Sequence, residues 1–422
     1  MRIVILAQYF FPETGGAPNR ILAMAKGLQR NGHRVTVICE KPNYPTGIVQ
    51  DGYHKPRYIH KEWEGVPVIY TWVYARPDKT TKTRLLNYAS YMISSVMASR
   101  RVKGKVDVVL ASSPPLFVGV SGWMVGKLKR APFVFDIRDL WPDIAEAIGE
   151  LKGRRVRAFA KKMEAFIYGH AAGVTAVTRG FCEAVRQRSR EGLPVEMITN
   201  GTVCTTFDVA TPILELRAKW NLPADKFIVG YAGNLGLLQG LPHILEAAER
   251  MQSGHPNIHF VLVGDGPIRD KLVDDARAKG LANLEIRDKV TLAEAAEYMA
   301  ASDALLVPLV ANPILAMWHP SKLFDTMAAG RAMLLSVPGE ARAIMEEARC
   351  GVFYEPESAT GLVQAIQELR ADPDFANMGE RGRVHVKAHF DRDVLADRMT
   401  DFLERIAGDN TGGSPLGEDE IL

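Results

Sequence analysis

The sequence predicts an α/β protein built from two doubly wound Rossmann-like domains that face a central cleft. Its 422 residues are too many for one ordinary core, and short apolar runs alternate with helix-compatible stretches over most of the chain. The runs are continuous and do not alternate with polar residues, which is typical of parallel strands covered on both faces. With 47% hydrophobic and 24% charged residues, the chain has the composition of a globular protein with sizeable cores.

Two series of strands define the two domains. The first series is RIVILAQYF, HRVTVIC, VPVIYTWV, VDVVLAS, PFVFDIR and AGVTAVT. The second series is FIVGYAG, IHFVLVGDG, LEIRD, ALLVPL, AMLLSV and GVFYE. We therefore predict one domain over residues 1–208 and another over 209–390. A closing helix over 391–408 that returns toward the first domain and a polar, disordered tail over 409–422 complete the prediction.

The cysteines and the N-terminus indicate a cytoplasmic protein. The four cysteines stand far apart, without a CxxC pair or a histidine at ligand spacing, so neither a zinc site nor a disulfide framework is indicated. The first residues, MRIVILAQYFFPE, are typical of a core strand and not of a signal peptide. No uninterrupted apolar stretch reaches membrane-spanning length.

Basic residues are concentrated in the first half of the chain. Residues 1–207 contain 31 Lys and Arg against 16 Asp and Glu, a net +15, whereas residues 208–422 contain 21 against 33, a net −12. A solvated surface explains this bias, and so does an anionic partner, for which a membrane surface is the best candidate. The two largest clusters are Arg76, Lys79, Lys82, Arg84, Arg100, Arg101, Lys103 and Lys105, and Lys152, Arg154, Arg155, Arg157, Lys161 and Lys162.

The segment over residues 85–97, LLNYASYMISSVM, is apolar and has basic residues beyond both ends. A core helix of a doubly wound sheet has this composition, and so does a helix that lies on a bilayer surface. The sequence leaves both interpretations open. Under the second one, the protein would contact the inner face of the cell membrane.

Candidate ligand loops follow the strands of the first domain, because ligands of such sheets bind at the carboxyl ends of the strands. After the first strand, two glycines let the backbone approach a ligand closely, although a tight turn explains them nearly as well. After the second strand, two prolines stiffen the loop KPNYPTG. The candidate residues of these loops are Glu13, Gly15, Gly16, Arg20, Asn43 and Tyr44.

The fifth predicted strand of the first domain runs into a charged cluster, DIRDLWPD. Asp139 is the better placed acid for general-base catalysis, with Arg138 beside it. Trp141 adds a surface that suits a polar acceptor. Mutual pairing of Arg138 with the neighbouring acids is the alternative interpretation.

Glycines follow two strands of the second domain. The loop YAGNLGLLQG lies between a strand and a helix and is a candidate phosphate cradle, because glycine amides donate without side-chain obstruction. The turn VGDGP follows another strand, although it also has ordinary turn chemistry. The candidate residues are Gly233, Asn234, Gly236, Gln239 and Gly264.

The segment PSKLFDTMAAG predicts a helix that opens at Ser321 and carries Asp325 in its first turn. Free amides at a helix start attract phosphate, Lys322 adds a point charge, and an early carboxylate can accept hydrogen bonds from ribose hydroxyls. An ordinary N-cap at Ser321 is the alternative interpretation. His319, just before Pro320, is a candidate contact of a bound sugar.

Together these motifs resemble the retaining GT-B glycosyltransferases of the glycosyltransferase 4 family over nearly the whole chain. PNYPTG, IRDLWPD, GNLGLLQG and PSKLFDTMAAG are similar to the WbuB-type transferases of bacterial surface polysaccharide assembly. The resemblance implies an acceptor-binding first domain and a second domain that binds a nucleotide-sugar, with a UDP-sugar favoured. It also implies that Asp325 binds the ribose and that Ser321, Lys322 and Leu323 lie by the diphosphate, opposite the loop from Gly233 to Gly240. In the first domain we predict Gly16 on the donor side. On the side of the acceptor or the donor sugar we predict Glu13, Gly15, Arg20, Asn43, Tyr44 and Trp141.

The implied reaction transfers a hexose or N-acetylhexosamine, with retention at the anomeric carbon. The implied acceptor is a hydroxyl of a saccharide or of a polyprenyl-diphosphate-linked sugar. The resemblance implies no metal ion and no other cofactor, because helix dipoles and side chains stabilise the leaving diphosphate. We predict no nucleic-acid partner.

The chain departs from the family pattern in the candidate site. Met317 stands where many members have a glutamate, eight residues before the ribose-binding acid, and Arg138 stands where a histidine is common. Many members carry two basic residues in the loop that here offers Asn234 and Gln239, so Lys322 is the most credible cation. A nucleotide-sugar 2-epimerase and a non-catalytic sugar-nucleotide-binding protein stay open as alternatives. A nicotinamide dehydrogenase is disfavoured, because GxGxxG follows neither first strand.

Overall fold

The computed structural model describes residues 1–13, 15–78, 80–147, 153–312 and 315–409. They form two compact units: unit 1 contains Met1–Asn200 and the C-terminal residues from Leu395 onward, and unit 2 contains Gly201–Val394. The first segment of unit 1 ends at residue 200, so the boundary that we predicted, after residue 208, lies eight residues too far along the chain. From residue 410 onward, the predicted disordered tail falls outside the described residues. Within the described ranges, no helix has both the length and the apolarity needed to cross a membrane.

Unit 1 is built on an eight-stranded sheet with the order β3-β4-β2-β1-β5-β6-β7-β8. Neighbouring strands are parallel except for β3 and β4, which pair antiparallel at one edge. The order reverses between β1 and β5, which is the position where such sheets bind ligands. The strands are β1 (Arg2–Ala7), β2 (Arg34–Glu40), β3 (Tyr58–Trp63), β4 (Val66–Thr71), β5 (Val108–Ser113), β6 (Phe133–Ile137), β7 (Gly173–Ala176) and β8 (Val195–Met197).

Helices connect these strands, as parallel neighbours require. They are α1 (Gly16–Arg30), α2 (Thr81–Ser99), α3 (Phe117–Lys129), α4 (Asp143–Ala147), α5 (Arg154–His170) and α6 (Arg179–Arg188). 

Unit 2 is built on a six-stranded parallel sheet with the order β11-β10-β9-β12-β13-β14, which reverses between β9 and β12. Its strands are β9 (Phe227–Ala232), β10 (Ile258–Val263), β11 (Leu284–Arg287), β12 (Ala304–Val307), β13 (Ala332–Leu335) and β14 (Gly351–Phe353). Its helices are α7 (Ile213–Lys219), α8 (Pro242–Gly254), α9 (Arg269–Ala278), α10 (Leu292–Ala301), α11 (Ser321–Ala328), α12 (Glu340–Ala348), α13 (Ala359–Ala371) and α14 (Phe375–His389).

The last helix, α15 (Arg392–Asp409), completes the core of unit 1. Met399 and Leu403 are fully buried, and they share a hydrophobic cluster with Ile3, Ile5 and Leu28 from β1 and α1. A chain that enters unit 2 at residue 201 therefore returns to finish the unit in which it began.

The structure confirms the predicted fold class of two Rossmann-like units with parallel sheets. Every strand of both predicted series is present, and the described residues also contain β3 and β8, which we did not predict. The strand expected to be the fifth of the first domain is therefore β6. β3 is half-buried at most, so it lacks the continuous apolar run by which the other strands were predicted.

Candidate functional site

The loop after β9 and the start of α11 meet at the switch point of unit 2. Gly233 has a φ of +148°, and a Cβ there would lie 3.0 Å from Nζ of Lys322 and closer still to its Cε. Lys322 Nζ donates a hydrogen bond to Oε1 of Gln239 (3.1 Å) and lies 5.2 Å from the ring centroid of Tyr231. The structure thus brings three predicted residues together and adds Tyr231, which we did not predict.

The two glycine loops pack backbone against backbone. Gly264 has a φ of +156°, and a Cβ at this position would overlap the carbonyl oxygen of Gly233. The Tyr231 hydroxyl donates to the carbonyl of Asn234 (2.7 Å), and a Cβ on Gly236 would lie 2.6 Å from Nδ2 of Asn234. The loop after β9 is therefore held in one shape from both sides.

Replacing Gly264 by alanine is expected to destabilise unit 2 by about 2–4 kcal/mol, because backbone atoms cannot yield as a side chain can. Urea unfolding measures the effect. Gly254→Ala is the matched control: it lies at the end of α8 in the same unit, and a Cβ there would meet no heavy atom within 4 Å. Equal stability of the two variants would contradict the packing described.

The start of α11 leaves backbone amides for a ligand. Pro320 is the N-cap and makes no side-chain cap, so the alternative interpretation of Ser321 as N-cap is wrong: Ser321 is the first helical residue and is exposed. The amide of Leu323 already donates to the carbonyl of Pro320 (2.9 Å), and its side chain is fully buried. At a helix start, the amides of Ser321 and Lys322 have no intrahelical acceptor. These two, and not that of Leu323, suit a phosphate.

Asp325 lies one turn further on. It is the fifth residue of α11, so our placement of it in the first turn was wrong. Its Oδ1 accepts a hydrogen bond from the Thr202 hydroxyl (2.7 Å). Burial raises the pKa of Asp325, while the Thr202 bond and the nearby charges of Arg392 and Lys322 oppose the rise. Thr202 itself is held by Phe390 and Arg392: its amide donates to the Phe390 carbonyl (3.1 Å), and its carbonyl accepts from the Arg392 amide (2.9 Å).

Lys322 is a desolvated cation. Burial lowers its pKa to about 8, although the charge of Asp325 acts in the opposite direction. Lys322 is half-buried, so its ammonium has lost part of its hydration, which an anionic ligand can replace. A negatively charged ligand beside Lys322 would therefore stabilise its charged form.

The residues before α11 are engaged with unit 2 itself. Met317, at the position of the family's glutamate, ends a short 3-10 turn and is half-buried. His319 is buried, and its Nε2 lies 3.1 Å from Oε2 of Glu340, while its ring meets that of Phe324 edge-on. Contact between His319 and a sugar stays a prediction. Glu340, the neighbour of His319, is a residue that we did not predict.

In unit 1, the loops after β1 and β2 are joined by a buried acid. Oε1 of Glu13 accepts hydrogen bonds from the amides of Asn43 (2.7 Å) and Tyr44 (2.8 Å), and Nδ2 of Asn43 donates to Oε1 of Glu40 (2.7 Å). Burial raises the pKa of Glu13 to about 7, although the two amide bonds oppose this. Burial and the charge of Glu13 likewise raise the pKa of Glu40. Glu40 is a residue of this network that we did not predict. Three predicted residues thus share one network.

Arg20 does not belong to the loops after β1 and β2. Its predicted position beside a bound sugar is therefore corrected. It is 3% exposed, and its guanidinium donates to the carbonyls of Ile198 (2.8 Å) and Thr199 and to Oδ1 of Asp136 (2.9 Å). The helical position of Arg20 on α1 turns it into the core of unit 1. Gly15 and Gly16, at the start of the same helix, are exposed and would have open space beyond a Cβ.

The charged cluster lies at the end of β6. Nε of Arg138 donates to the carbonyl of Ser113 (2.7 Å). Burial lowers the pKa of Arg138, while Asp136 and Asp139 oppose this, and burial raises the pKa of Asp139, while Arg138 opposes that. The half-buried Trp141 donates its amide to the carbonyl of Asp139 (2.9 Å). These residues adjoin one another at the end of β6, and the charges of Asp136 and Asp139 act on Arg138. A catalytic role for Arg138 or Asp139 stays a prediction.

Two Rossmann-like units, the second with glycine loops beside a lysine-bearing helix start, match the fold of solved GT-B glycosyltransferases. Residues 15–201 match the family described as "Glycosyl transferase 4-like domain", and residues 212–385 match "Glycosyl transferases group 1". The chain therefore belongs to the glycosyltransferases of the glycosyltransferase 4 type and is an enzyme.

Three known proteins illustrate the similarity. The chain is 28% identical to the putative colanic acid biosynthesis glycosyl transferase WcaI of Escherichia coli K12, over 87% of this chain and 92% of that protein. It is 22% identical to the alpha-monoglucosyldiacylglycerol synthase of Acholeplasma laidlawii, over 89% of each. The fold matches that of HepE from Anabaena in complex with UDP-glucose, with a TM-score of 0.69, 18% identity, and coverage of 96% and 100%.

Proposed function

We propose that the enzyme transfers a hexose or N-acetylhexosamine from a UDP-sugar to a hydroxyl of a lipid-linked saccharide, in bacterial surface polysaccharide biosynthesis. One observation carries the donor assignment: Lys322 lies over Gly233 at the switch point of unit 2, with Asp325 one helical turn away. In this proposal the amides of Ser321 and Lys322 and the Lys322 ammonium bind the diphosphate. Asp325 accepts hydrogen bonds from the ribose. HepE, whose structure contains UDP-glucose, supports uracil as the base.

The reaction that we propose retains the anomeric configuration. The bond from the anomeric carbon to the diphosphate oxygen breaks as the acceptor oxygen bonds to the same face of that carbon, and the acceptor proton passes to the departing phosphate. Lys322 and the amide dipoles at the start of α11 stabilise the charge that develops on the diphosphate. No metal ion takes part in the proposal; among the described residues, no three or more His, Cys, Asp or Glu side chains are grouped as a metal ion requires.

We assign the acceptor to unit 1. Glu13, Asn43 and Tyr44 join the loops after β1 and β2, and Arg138 and Asp139 end β6, so both groups lie at the carboxyl edge of the sheet. The names of two relatives support a polymer precursor or a lipid as acceptor, since one is named a putative colanic acid biosynthesis glycosyl transferase and the other an alpha-monoglucosyldiacylglycerol synthase. We therefore propose a cytoplasmic enzyme whose basic unit 1 contacts the anionic inner face of the membrane.

A panel of UDP-, GDP- and ADP-sugars tests the donor assignment. We expect a UDP-sugar to raise the thermal unfolding temperature most. The effect should be measurable, because a ligand at 100 times its Kd stabilises the folded state by about 2.7 kcal/mol. The same sugars, radiolabelled, are then offered with a membrane extract, and transfer into the lipid fraction is measured. Asp325→Ala is expected to abolish the thermal shift.

The outcomes separate the proposed enzyme from its alternatives. Conversion of the donor sugar without an acceptor would indicate a 2-epimerase. Binding without transfer into any acceptor fraction would indicate a sugar-nucleotide-binding protein. If no nucleotide stabilises the protein and Asp325→Ala changes nothing, the donor site is not where we place it.

A further inference from the structure

The helix α2 has its apolar side chains on the outside. Three serines of this helix, Ser94, Ser95 and Ser99, are at most 1% exposed. The side chains on its outer surface are apolar instead: the exposed fractions are 40% for Leu85, 44% for Leu86, 55% for Ile93 and 40% for Met97. A core helix would show the reverse arrangement. The outer face of α2 therefore exposes apolar side chains that the rest of unit 1 does not cover.

A basic groove of about 690 Å³ lies at the amino-terminal edge of the unit 1 sheet, opposite the loops that follow β1, β2 and β6. No carboxylate is among its lining residues. Two acids bond to lining residues from outside it: Asp107 accepts from the amide of Arg2 (2.7 Å), and Glu404 lies 3.4 Å from His33. The basic lining residues are Arg2, His33, Arg34, His60, Lys61, Arg101 and Lys103.

Helix dipoles explain only part of this charge. Arg101 and Lys103 follow the end of α2, where cations favourably offset the dipole. Arg34 follows Asn31, the C-cap of α1, by three residues, whereas His60 and Lys61 lie within β3. Strand cations that line the same groove indicate an anionic ligand.

The groove begins just beyond the apolar face of α2, because Arg101 lines the groove and follows Met97 by four positions. Arg57 is not among the lining residues, but it adds a cation beside that face. Nη2 of Arg57 lies 3.8 Å from Sδ of Met97, the last apolar residue of the outer face. The guanidinium of Arg101 lies over the ring of Tyr58 at 4.2 Å, which holds it beside β3. An apolar stripe that ends in a cationic groove matches a lipid monolayer, in which acyl chains lie next to phosphate headgroups.

We propose that the basic groove binds the phosphate headgroups of anionic lipids while the outer side chains of α2 enter the interfacial layer. The inference rests on the membrane contact proposed above and gives it a defined surface. Along a strand of six residues, the groove is about 20 Å from the carboxyl edge of the sheet, and the 19 residues of α2 span about 28 Å. A helix of this length, lying on the bilayer, would keep the acceptor loops near the membrane surface.

Vesicle flotation tests the groove with one pair of variants. Vesicles of phosphatidylcholine alone are compared with vesicles that also contain phosphatidylglycerol. The Lys61 side chain lines the groove, and its ammonium lies 3.8 Å from the ring centroid of Tyr53. We expect the wild type to float with the anionic vesicles only, and Arg34→Gln/Lys61→Gln to bind them about 30-fold more weakly, since both side chains line the groove. Arg154→Gln/Arg155→Gln is the control: it removes the same charge from an exposed stretch of α5 and should bind within about threefold of wild type.

A third variant tests the helix face. Ile93→Asp places a charge on an exposed position and is expected to lower vesicle binding at least tenfold without affecting the fold. The proposal is overturned if the wild type ignores anionic vesicles, if Arg34→Gln/Lys61→Gln floats like wild type, or if the α5 control loses as much binding. Transfer to a detergent-dispersed acceptor, measured in parallel, reports on the glycosyltransferase proposal separately, because neither Arg34 nor Lys61 belongs to the candidate site.

Discussion

Replacing Lys322 by alanine is expected to lower kcat/KM for sugar transfer by about 10²- to 10³-fold, the usual effect of removing one preorganised group from a developing negative charge. The effect should be this large because the candidate site has few other cations. Asn234 and Gln239 occupy the loop in which many family members carry basic residues, and the Lys322 ammonium contacts Gln239 directly. Lys271→Ala, at an exposed position on α9 of the same unit, is the control and should transfer normally.

The pH dependence distinguishes a charge effect from a packing effect. Burial lowers the pKa of Lys322 to about 8, so the fraction that carries a proton falls as the pH rises through that value. The kcat/KM of the wild type should therefore decline above about pH 8, because kcat/KM reports the pKa of the enzyme without bound donor. Lys322→Arg, which stays charged, should be less active at pH 7 but flat between pH 7 and 9. A wild-type profile that does not bend near pH 8 would contradict a role for the ammonium.

Most strands were predictable, and the exceptions have a physical cause. Strands of a sheet covered on both faces must be apolar throughout, so they stand out in the sequence. β3, YIHKEW, lies at an antiparallel edge and is half-buried at best, so nothing forces it to be apolar. β8 has only three residues, Val195–Met197, each half-buried. Strands at an edge carry less of the core and hence less of its signature.

The candidate donor site was predictable where the strand order of the sheet forms it. The order of glycine loop and helix start places Gly233 and Lys322 at one switch point, because sheet topology fixes where those loops end. The partner of Asp325 was not predictable, because Thr202 lies 123 positions away in the sequence. The place of Asp325 in the second turn depends on where α11 begins, and helix boundaries are poorly marked when the N-cap is a proline without a capping side chain.

Replacing Arg20 by methionine is expected to destabilise unit 1 by about 3–5 kcal/mol at pH 7, because it leaves the carboxylate of Asp136 buried without its cation. Both side chains of this ion pair are at most 4% exposed. Burial alone would raise the pKa of Asp136, but Arg20 and the hydroxyls of Ser112 and Thr175 outweigh it and hold the pKa below its ordinary value. Arg30→Met breaks an exposed pair with Asp397 and should cost less than about 1 kcal/mol.

The sign of the pH dependence should reverse in the variant. In the wild type, the lowered pKa of Asp136 contributes stability that is present above about pH 4 and lost as the pH falls through the folded-state pKa. Without Arg20, burial dominates and raises that pKa, so stability is lost as the pH rises above 4. The destabilisation measured by urea unfolding should therefore be smaller at pH 4 than at pH 7. Adding Asp136→Asn to Arg20→Met should restore part of the stability at pH 7, since it removes the unpaired charge. Strictly additive single changes would show instead that the two side chains do not act as a pair.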